Sequence, residues 1–511
     1  MTDAKLLLTA QTQAQALLNH SSQSDSDLNI VRYHAEKRVI LLGQHPAGSQ
    51  LVGALIQAGY ELTPVEGSNI SVRGHLGAFD VEWTTAIGVS KHKHGDIVLD
   101  CTHPPTLSSA VLPPGYLVAG QEEIPADILE LVEQHIGDFS KPKFFVYDPD
   151  ICAHGSAKLA GCNACIHACP ADAIISIGEK IEVNPMLCQG GGTCATACPT
   201  GAIRYNFPQP SQQADRLRKA IRAYKIAANQ MPHVLIYSGD WDLSSLDPRI
   251  IAVEVEETAS LGAAFWLQAL AFGAASVVIS AEADIPAVSL EILKTQLEFA
   301  RGVLSAMNYP SEAISIRPDI KPDLKISMPP IAPSNALGTN LKREQLWAAI
   351  DHLWHEAAHP SASLKEPAGG QFGFVSINTE SCTFCMACLN VCPTQSLSGG
   401  DHPIIQFDHR QCVQCGLCDQ ACPENAIELN SELILDPVSR SEKRTLNEDK
   451  IHHCPRCNAP FASGSMIDKM LASLASHSMY QDPRALERLK MCGDCRVIDA
   501  VEQHEHLEKL L

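Results

Sequence analysis

From Arg38 onward the chain alternates short apolar runs with amphipathic segments. "RVILLGQ" reads as a strand, "GSQLVGALIQAGY" as a helix and "YELTPVE" as a second strand. "GDIVLDC" and "GYLVAGQ" continue the strands, and "PADILELVEQHI" is a helix. Ahead of them lie a helix and a polar stretch, "HSSQSDSD". Residues 1–144 are therefore expected to form a small α/β domain. The alternation returns over 211–316. There "HVLIYSG", "IIAVEVE" and "SVVIS" are strands, "SLGAAFWLQALAFG" a small-residue helix and "AVSLEILKTQLEFARGVLSAMN" a long one. That order predicts a parallel sheet. Residues 317–373 begin with a proline-rich extended linker, "RPDIKPDLKISMPPIAPSN", followed by the helix "LKREQLWAAIDHLWHEA". Between and after these domains, 145–210 and 374–432 lose the periodicity and gain cysteines, and 433–511 reads as a helical tail.

At 511 residues the chain has room for three to four domains of about 150 each. Lys plus Arg number 38 against 58 Asp plus Glu, a net charge of −20, which argues against a nucleic-acid partner. The start, "MTDAKLLLTAQTQAQALLNH", lacks a signal-like apolar core, and no apolar run reaches the length of a membrane span. The expected location is the cytoplasm, where disulfides are disfavoured.

Of the 20 cysteines, all but Cys101 sit in tight groups. Clustered C-x2-C repeats in a reducing compartment read as metal ligation. Four copies of one small repeat, "CPADAI", "CPTGAI", "CPTQSL" and "CPENAI", each close a cysteine group. Cys169 to Cys188 spans 19 residues and Cys392 to Cys412 spans 20, so the two blocks are two copies of one two-cluster module.

The second block is regular. "CTFCMACLNVCP" supplies Cys382, Cys385, Cys388 and Cys392, and "CVQCGLCDQACP" supplies Cys412, Cys415, Cys418 and Cys422. In C-x2-C-x2-C-x3-C-P runs the fourth cysteine ligates the other cluster. One [4Fe–4S] cluster is thus assigned to Cys382, Cys385, Cys388 and Cys422, the other to Cys392, Cys412, Cys415 and Cys418. The first block has drifted. Leu159 stands where a leading cysteine is expected, and Cys152 lies ten residues before Cys162. An insertion would let Cys152, Cys162, Cys165 and Cys198 hold a third [4Fe–4S] cluster. Cys169, Cys188 and Cys194 remain, and Gly191 stands at the fourth ligand position. Three thiolates suit a [3Fe–4S] cluster, an open [4Fe–4S] cluster or a decayed, metal-free site.

In the tail, Cys454, Cys457, Cys492 and Cys495 form two C-x2-C pairs with no C-P signature. Zinc leads; an extra iron–sulfur cluster and unmetallated thiols stay open. His352, His355 and His359 share a helical face and read as a solvated surface, as do His92 and His94. Cys101 reads as a buried strand-end thiol. The glycine turn in "LLGQHPAGSQL" is a weak nucleotide signal, with no G-x-G-x-x-G.

The paired modules resemble the two-[4Fe–4S] bacterial ferredoxins. Residues 230–316 resemble the small α/β domain of the hydrogenase iron–sulfur (delta) subunits and heterodisulfide reductases, on "HVLIYSG", "EETASLGAAFWLQALAFGAASVVIS" and "LEFARGVLSAMNYPSEAISI". With no cysteine between 199 and 381, that family's [2Fe–2S] site is not carried over. The layout as a whole resembles multi-cluster ferredoxin-like proteins associated with bacterial formate dehydrogenases. The resemblance implies a cytoplasmic polyferredoxin passing single electrons between a dehydrogenase and another carrier, without catalysis of its own. The rivals are an iron–sulfur assembly or redox-sensing accessory protein, and an enzyme holding a nucleotide or flavin in 38–140. The expected architecture is α/β and α+β multidomain: two ferredoxin-like modules, small parallel-sheet domains and a helical metal-binding tail.

Overall fold

The computed structural model describes residues 3–19, 29–120, 123–281, 284–320, 323–365 and 370–508. "HSSQSDSD" lies outside the described residues. The chain divides into two compact units: residues 1–149, 163–177 and 181–356, and residues 150–162, 178–180 and 357–511.

In the first unit the N-terminal sheet runs Glu61–Val65, Arg38–Leu42, Ile97–Asp100, Tyr116–Val118, all parallel. The two inner strands, Arg38–Leu42 and Ile97–Asp100, are mostly apolar on both faces because both are covered. Val39, Leu41, Ile97 and Leu99 meet Leu51 and Leu55 of helix Gly48–Gln57 and Ile128 and Val132 of helix Pro125–Glu133. The i, i+4 spacing of each helical pair sets one stripe on the sheet. Ile40, Leu42 and Val98 turn to the other face, against Phe79, Val81 and Trp83. Those three belong to an antiparallel meander, Ser68–His75, Ala78–Thr84 and Ser90–Gly95, which the sequence reading missed. Its last strand, "SKHKHG", is mostly exposed and carries no apolar alternation.

The central sheet is also parallel, in the order Ile250–Glu254, His233–Tyr237, Ser276–Ser280, Ile314–Arg317. Helix Asp3–Asn19 serves this sheet: Gln15 both donates to Ala252 O (2.9 Å) and accepts from Ala252 N (3.1 Å), filling an edge that would otherwise lie open. Residues 323–341 have no helix or strand, as expected of the proline-rich stretch, yet they are no free tether. Met328 is buried and its N–H donates to Ala275 O, while Ser334 N–H donates to Ala271 O.

The second unit holds the second cysteine block and the tail. The tail is more than helical. Strands Arg444–Glu448, Ile451–His453 and Pro460–Ser463 precede helices Gly464–Leu474, Pro483–Leu489 and Gly493–Glu508.

Candidate metal centres

In the second module, strands Phe374–Ile377 and Ile427–Asn430 pair antiparallel at the outside. Two short helices, Ala387–Asn390 and Leu417–Gln420, follow the cysteine loops. Each loop turns through two left-handed residues: Phe384 (φ 53°) and Met386 (φ 60°) in one, Gln414 (φ 54°) and Gly416 (φ 78°) in the other. A side chain in that region costs about 1–2 kcal/mol, so Phe384, Met386 and Gln414 mark loops shaped for something other than stability. The loops gather thiols. Cys382, Cys385, Cys388 and Cys422 line one small cavity with Ile377, Ile405 and Ala426. Cys392, Cys412, Cys415 and Cys418 line another with Val375, Phe407 and Leu429. Each C-P cysteine thus stands with the other loop's three.

Burial pushes the Cys388 thiol up to about 12 and Cys415 up to about 11, and neighbouring thiols add to both. Four thiols in an apolar cavity cannot ionise together without a compensating cation. Ala426 N–H already donates to Cys422 Sγ (3.3 Å) and Gln414 Nε2 to Cys412 Sγ (3.5 Å). Both groups fit metal-bound thiolates.

The first module repeats part of this backbone. Phe145–Tyr147 pairs antiparallel with Ile203–Tyr205. The residue three after each C-P cysteine is left-handed in all four repeats: Asp172 (φ 49°), Gly201 (φ 77°), Gln395 (φ 54°) and Asn425 (φ 49°). In the loop from Cys188 to Cys194, Gly190 (φ 84°) and Gly192 (φ 68°) take the left-handed places of Gln414 and Gly416. Gly191 therefore occupies the backbone position of Cys415 and Cys385. Its neighbours are conformational glycines, and a Cβ would also strike Phe144 at 2.9 Å from Gly190 or Ser260 at 2.4 Å from Gly192. Gly191 has no such reason. Its φ is not positive, and the nearest atom to a built Cβ is Pro170 Cγ at 4.0 Å. The chain has kept the loop and given up only the thiol.

Cys169, Cys188 and Cys194 line a cavity of about 390 Å³ beside Gly191. Burial raises all three thiols, Cys194 the most, and Ala173 N–H donates to Cys169 Sγ (3.3 Å). Two lysines missed by the sequence reading hold the loop ends. Lys141 Nζ donates to Met186 O (3.0 Å) and Cys188 O (2.7 Å). Lys342 Nζ donates to Ala195 O (3.0 Å), Thr196 O (2.6 Å) and Cys198 O (2.8 Å) at the C-terminus of helix Thr193–Ala197. Desolvation drives both lysines down to about 8, against the pull of Cys188 and Cys198. Nothing in the sequence separates them from the protein's other cations, because only folding brings them to the cysteines. Thr193 Oγ1 shares a hydrogen bond with Ser289 Oγ (2.9 Å), and Thr196 Oγ1 donates to Ala259 O (2.7 Å). These tie the helix to the central α/β domain.

The remaining set is divided. Cys152 and Cys162 belong to the second unit, Cys165 and Cys198 to the first. The insertion is a two-residue hairpin, Gly155–Ser156 paired with Leu159–Ala160. Ala157 (φ 51°) and Lys158 (φ 66°) form its turn where Asn-Gly is usual, so the sequence gives no hairpin signal. Within the second unit, Gln420 Nε2 donates to Ala160 O (3.1 Å), and the Cys162 thiol is close enough to Cys415 to raise its pKa.

In the tail, the ligand atoms of Cys454, Cys457, Cys492 and Cys495 lie within 4.8 Å of one another. Burial would raise the Cys454 thiol, but amides of Cys457, Cys492 and Arg456 outweigh it and hold it down at about 6. Such N–H···S bonds stabilise a thiolate knuckle. A second group, Asp80 with His92 and His94, lies on the exposed meander; the carboxylate was missed because it sits on the neighbouring strand.

Other expectations resolve simply. Cys101 is buried, and desolvation lifts its thiol to about 11, an inert state. The helix carrying His352 and His355 ends at Glu356, so His359 falls beyond it and the three share no helical face. In the glycine turn, His45 Nδ1 accepts from Ala47 N–H (3.1 Å) and its Nε2 meets Gly120 O (2.9 Å), so a side chain fills the turn.

No curated protein matches the chain. Residues 144–217 match a 4Fe-4S dicluster domain family, and residues 381–427 match a second 4Fe-4S dicluster domain family. These two dicluster domains support an iron–sulfur, ferredoxin-like protein with an electron-transfer role.

Proposed function

We propose that the chain is a multi-cluster electron carrier between a dehydrogenase, formate dehydrogenase being the leading candidate, and a second redox carrier. The carrying observation is the hydrogen bond from Gln420 Nε2, two residues past Cys418, to Ala160 O (3.1 Å), two residues before Cys162, within one unit. It brings a ligand of the first module to a ligand group of the second. Cys382, Cys385, Cys388 and Cys422 would hold one [4Fe–4S] cluster, Cys392, Cys412, Cys415 and Cys418 another, and Cys152, Cys162, Cys165 and Cys198 a third. Cys169, Cys188 and Cys194 would hold a three-iron or an open four-iron cluster. Bound clusters supply reversible one-electron chemistry. The protein's part is to exclude water with Ile405, Phe407 and Leu429, to donate amides to sulfur, and to set cationic Lys141 and Lys342 beside the first module's loops. The tail thiols suit a structural zinc.

Anaerobic reduction with dithionite followed by reoxidation tests this reading. The account predicts reversible cycling at constant iron content. Loss of iron or sulfide to an apo partner instead would favour the accessory reading, in which the protein delivers or senses clusters.

A further inference from the structure

The cavity at Gly191 lies at an unusual junction. In the central sheet the chain runs from His233–Tyr237 outward to Ile250–Glu254, then crosses back to Ser276–Ser280 on the other side. The order reverses between the first and third of these strands. Ligands of open parallel sheets bind at such a reversal, outside the carboxyl ends of the strands. Here the residues after those ends, Ser238, Glu256 and Asp284, line the same cavity as Cys169, Cys188 and Cys194. The three thiols face a ligand-sized space, about 390 Å³, within the range of small-molecule sites. By contrast, the cavities at the two complete groups are about 20 Å³ each.

We propose that this cavity binds a small organic cation carrying a second, neutral nitrogen donor, which would complete an open four-iron cluster at the corner that Gly191 leaves without a thiol. The proposal rests on the reading that Cys169, Cys188 and Cys194 hold a cluster, and on its open four-iron form, since a three-iron cluster has no iron at that corner. Three observations carry it. Gly191 is required neither by backbone conformation nor by space, so the opening is a change of ligand and not of fold. The opening leads to the carboxyl ends of the sheet's strands, at the reversal of strand order. The charged residues lining the cavity, Glu256, Glu257 and Asp284, are all acidic, with no Lys, Arg or His among the lining residues described. Such a rim attracts a cation and repels a carboxylate. Ser238, Thr258 and Ser289 add hydroxyls for orientation.

Histamine, which carries an ammonium and an imidazole donor, is the test ligand; imidazole-4-acetate is its anionic control. Protein reconstituted anaerobically with iron and sulfide is titrated with each and followed by Mössbauer and EPR spectroscopy, with iron counted on the same sample. The proposal expects one iron environment to change with histamine at about tenfold lower concentration than with imidazole-4-acetate. The preference should vanish in Glu256→Gln/Glu257→Gln/Asp284→Asn. The response itself should vanish in Gly191→Cys, and also in Ser238→Trp, which fills the cavity and leaves the thiols in place. Full iron content with no histamine response, equal response to both compounds, or a response that survives in both blocking variants overturns the proposal. A three-iron cluster at the site, with no fourth iron taken up, overturns the proposal and leaves the underlying reading standing; iron short by a whole cluster overturns both together.

Discussion

The loops Cys188–Cys194 and Cys412–Cys418 are the same backbone with different chemistry. Both turn through a left-handed residue on each side of the central position, and both lead into a short helix. One presents Cys415 at that position, the other Gly191. The complete loop closes on an apolar cavity about 20 Å³ in size; the other opens on one of about 390 Å³. A decaying site would be expected to lose the left-handed loop along with the ligand. Here the shape is retained, anchored by Lys141, Lys342 and Thr196, and only the ligand is gone.

The largest contrast should come from the thiols. Cys418→Ser removes a ligand from a closed group of four and should cost the second module a cluster's iron and its reduced-state EPR signal. Gly191→Ala adds a methyl with no close neighbour and should leave iron content unchanged. Next comes the shared left-handed position. Gly192→Ala meets Ser260 Cβ at 2.4 Å as well as an adverse φ, and should cost about 2–4 kcal/mol. Gly416→Ala, with nothing nearer than 3.7 Å, should cost only about 1–2 kcal/mol. Denaturant titration of each variant measures both. Lys342→Met leaves three carbonyls without their donor and should destabilise the first unit by about 1–3 kcal/mol. It should also lower the reduction potential of the adjacent cluster, read by redox titration, because a cation beside the site is lost.

The smallest effect concerns the scaffold under the open loop. Burial holds the His233 imidazole down at about 4, from 6.5, with Ser276 Oγ at 2.7 Å. Unfolding frees it to bind a proton. Its contribution is therefore intact above pH 6.5 and is lost as pH falls from 6.5 toward 4. His233→Gln should flatten that acid slope in denaturant midpoints measured across the window.

Legibility followed the range of the interaction. Parallel strands such as Arg38–Leu42 and Ser276–Ser280 announced themselves because a doubly covered strand reads as a near-continuous apolar run. The meander at 68–95 did not, since its outer strand reads as polar loop. Cysteine spacing anticipated which thiols of the second module gather, because three of each four are local and the repeat points to the fourth. Lys141, Lys342, Asp80 and the acidic rim of the open cavity were invisible, because each is carried to its site by a separate element. Gly191 was visible as an exception. Its meaning needed the backbone, which separates it from the two conformational glycines beside it.

The most direct measurement is Mössbauer spectroscopy with iron counting on the natural protein and on Gly191→Cys, both prepared anaerobically. The account predicts a three-iron or open four-iron site in the natural protein that becomes an ordinary reducible four-iron cluster in the variant. Identical cluster types in the two proteins would contradict it.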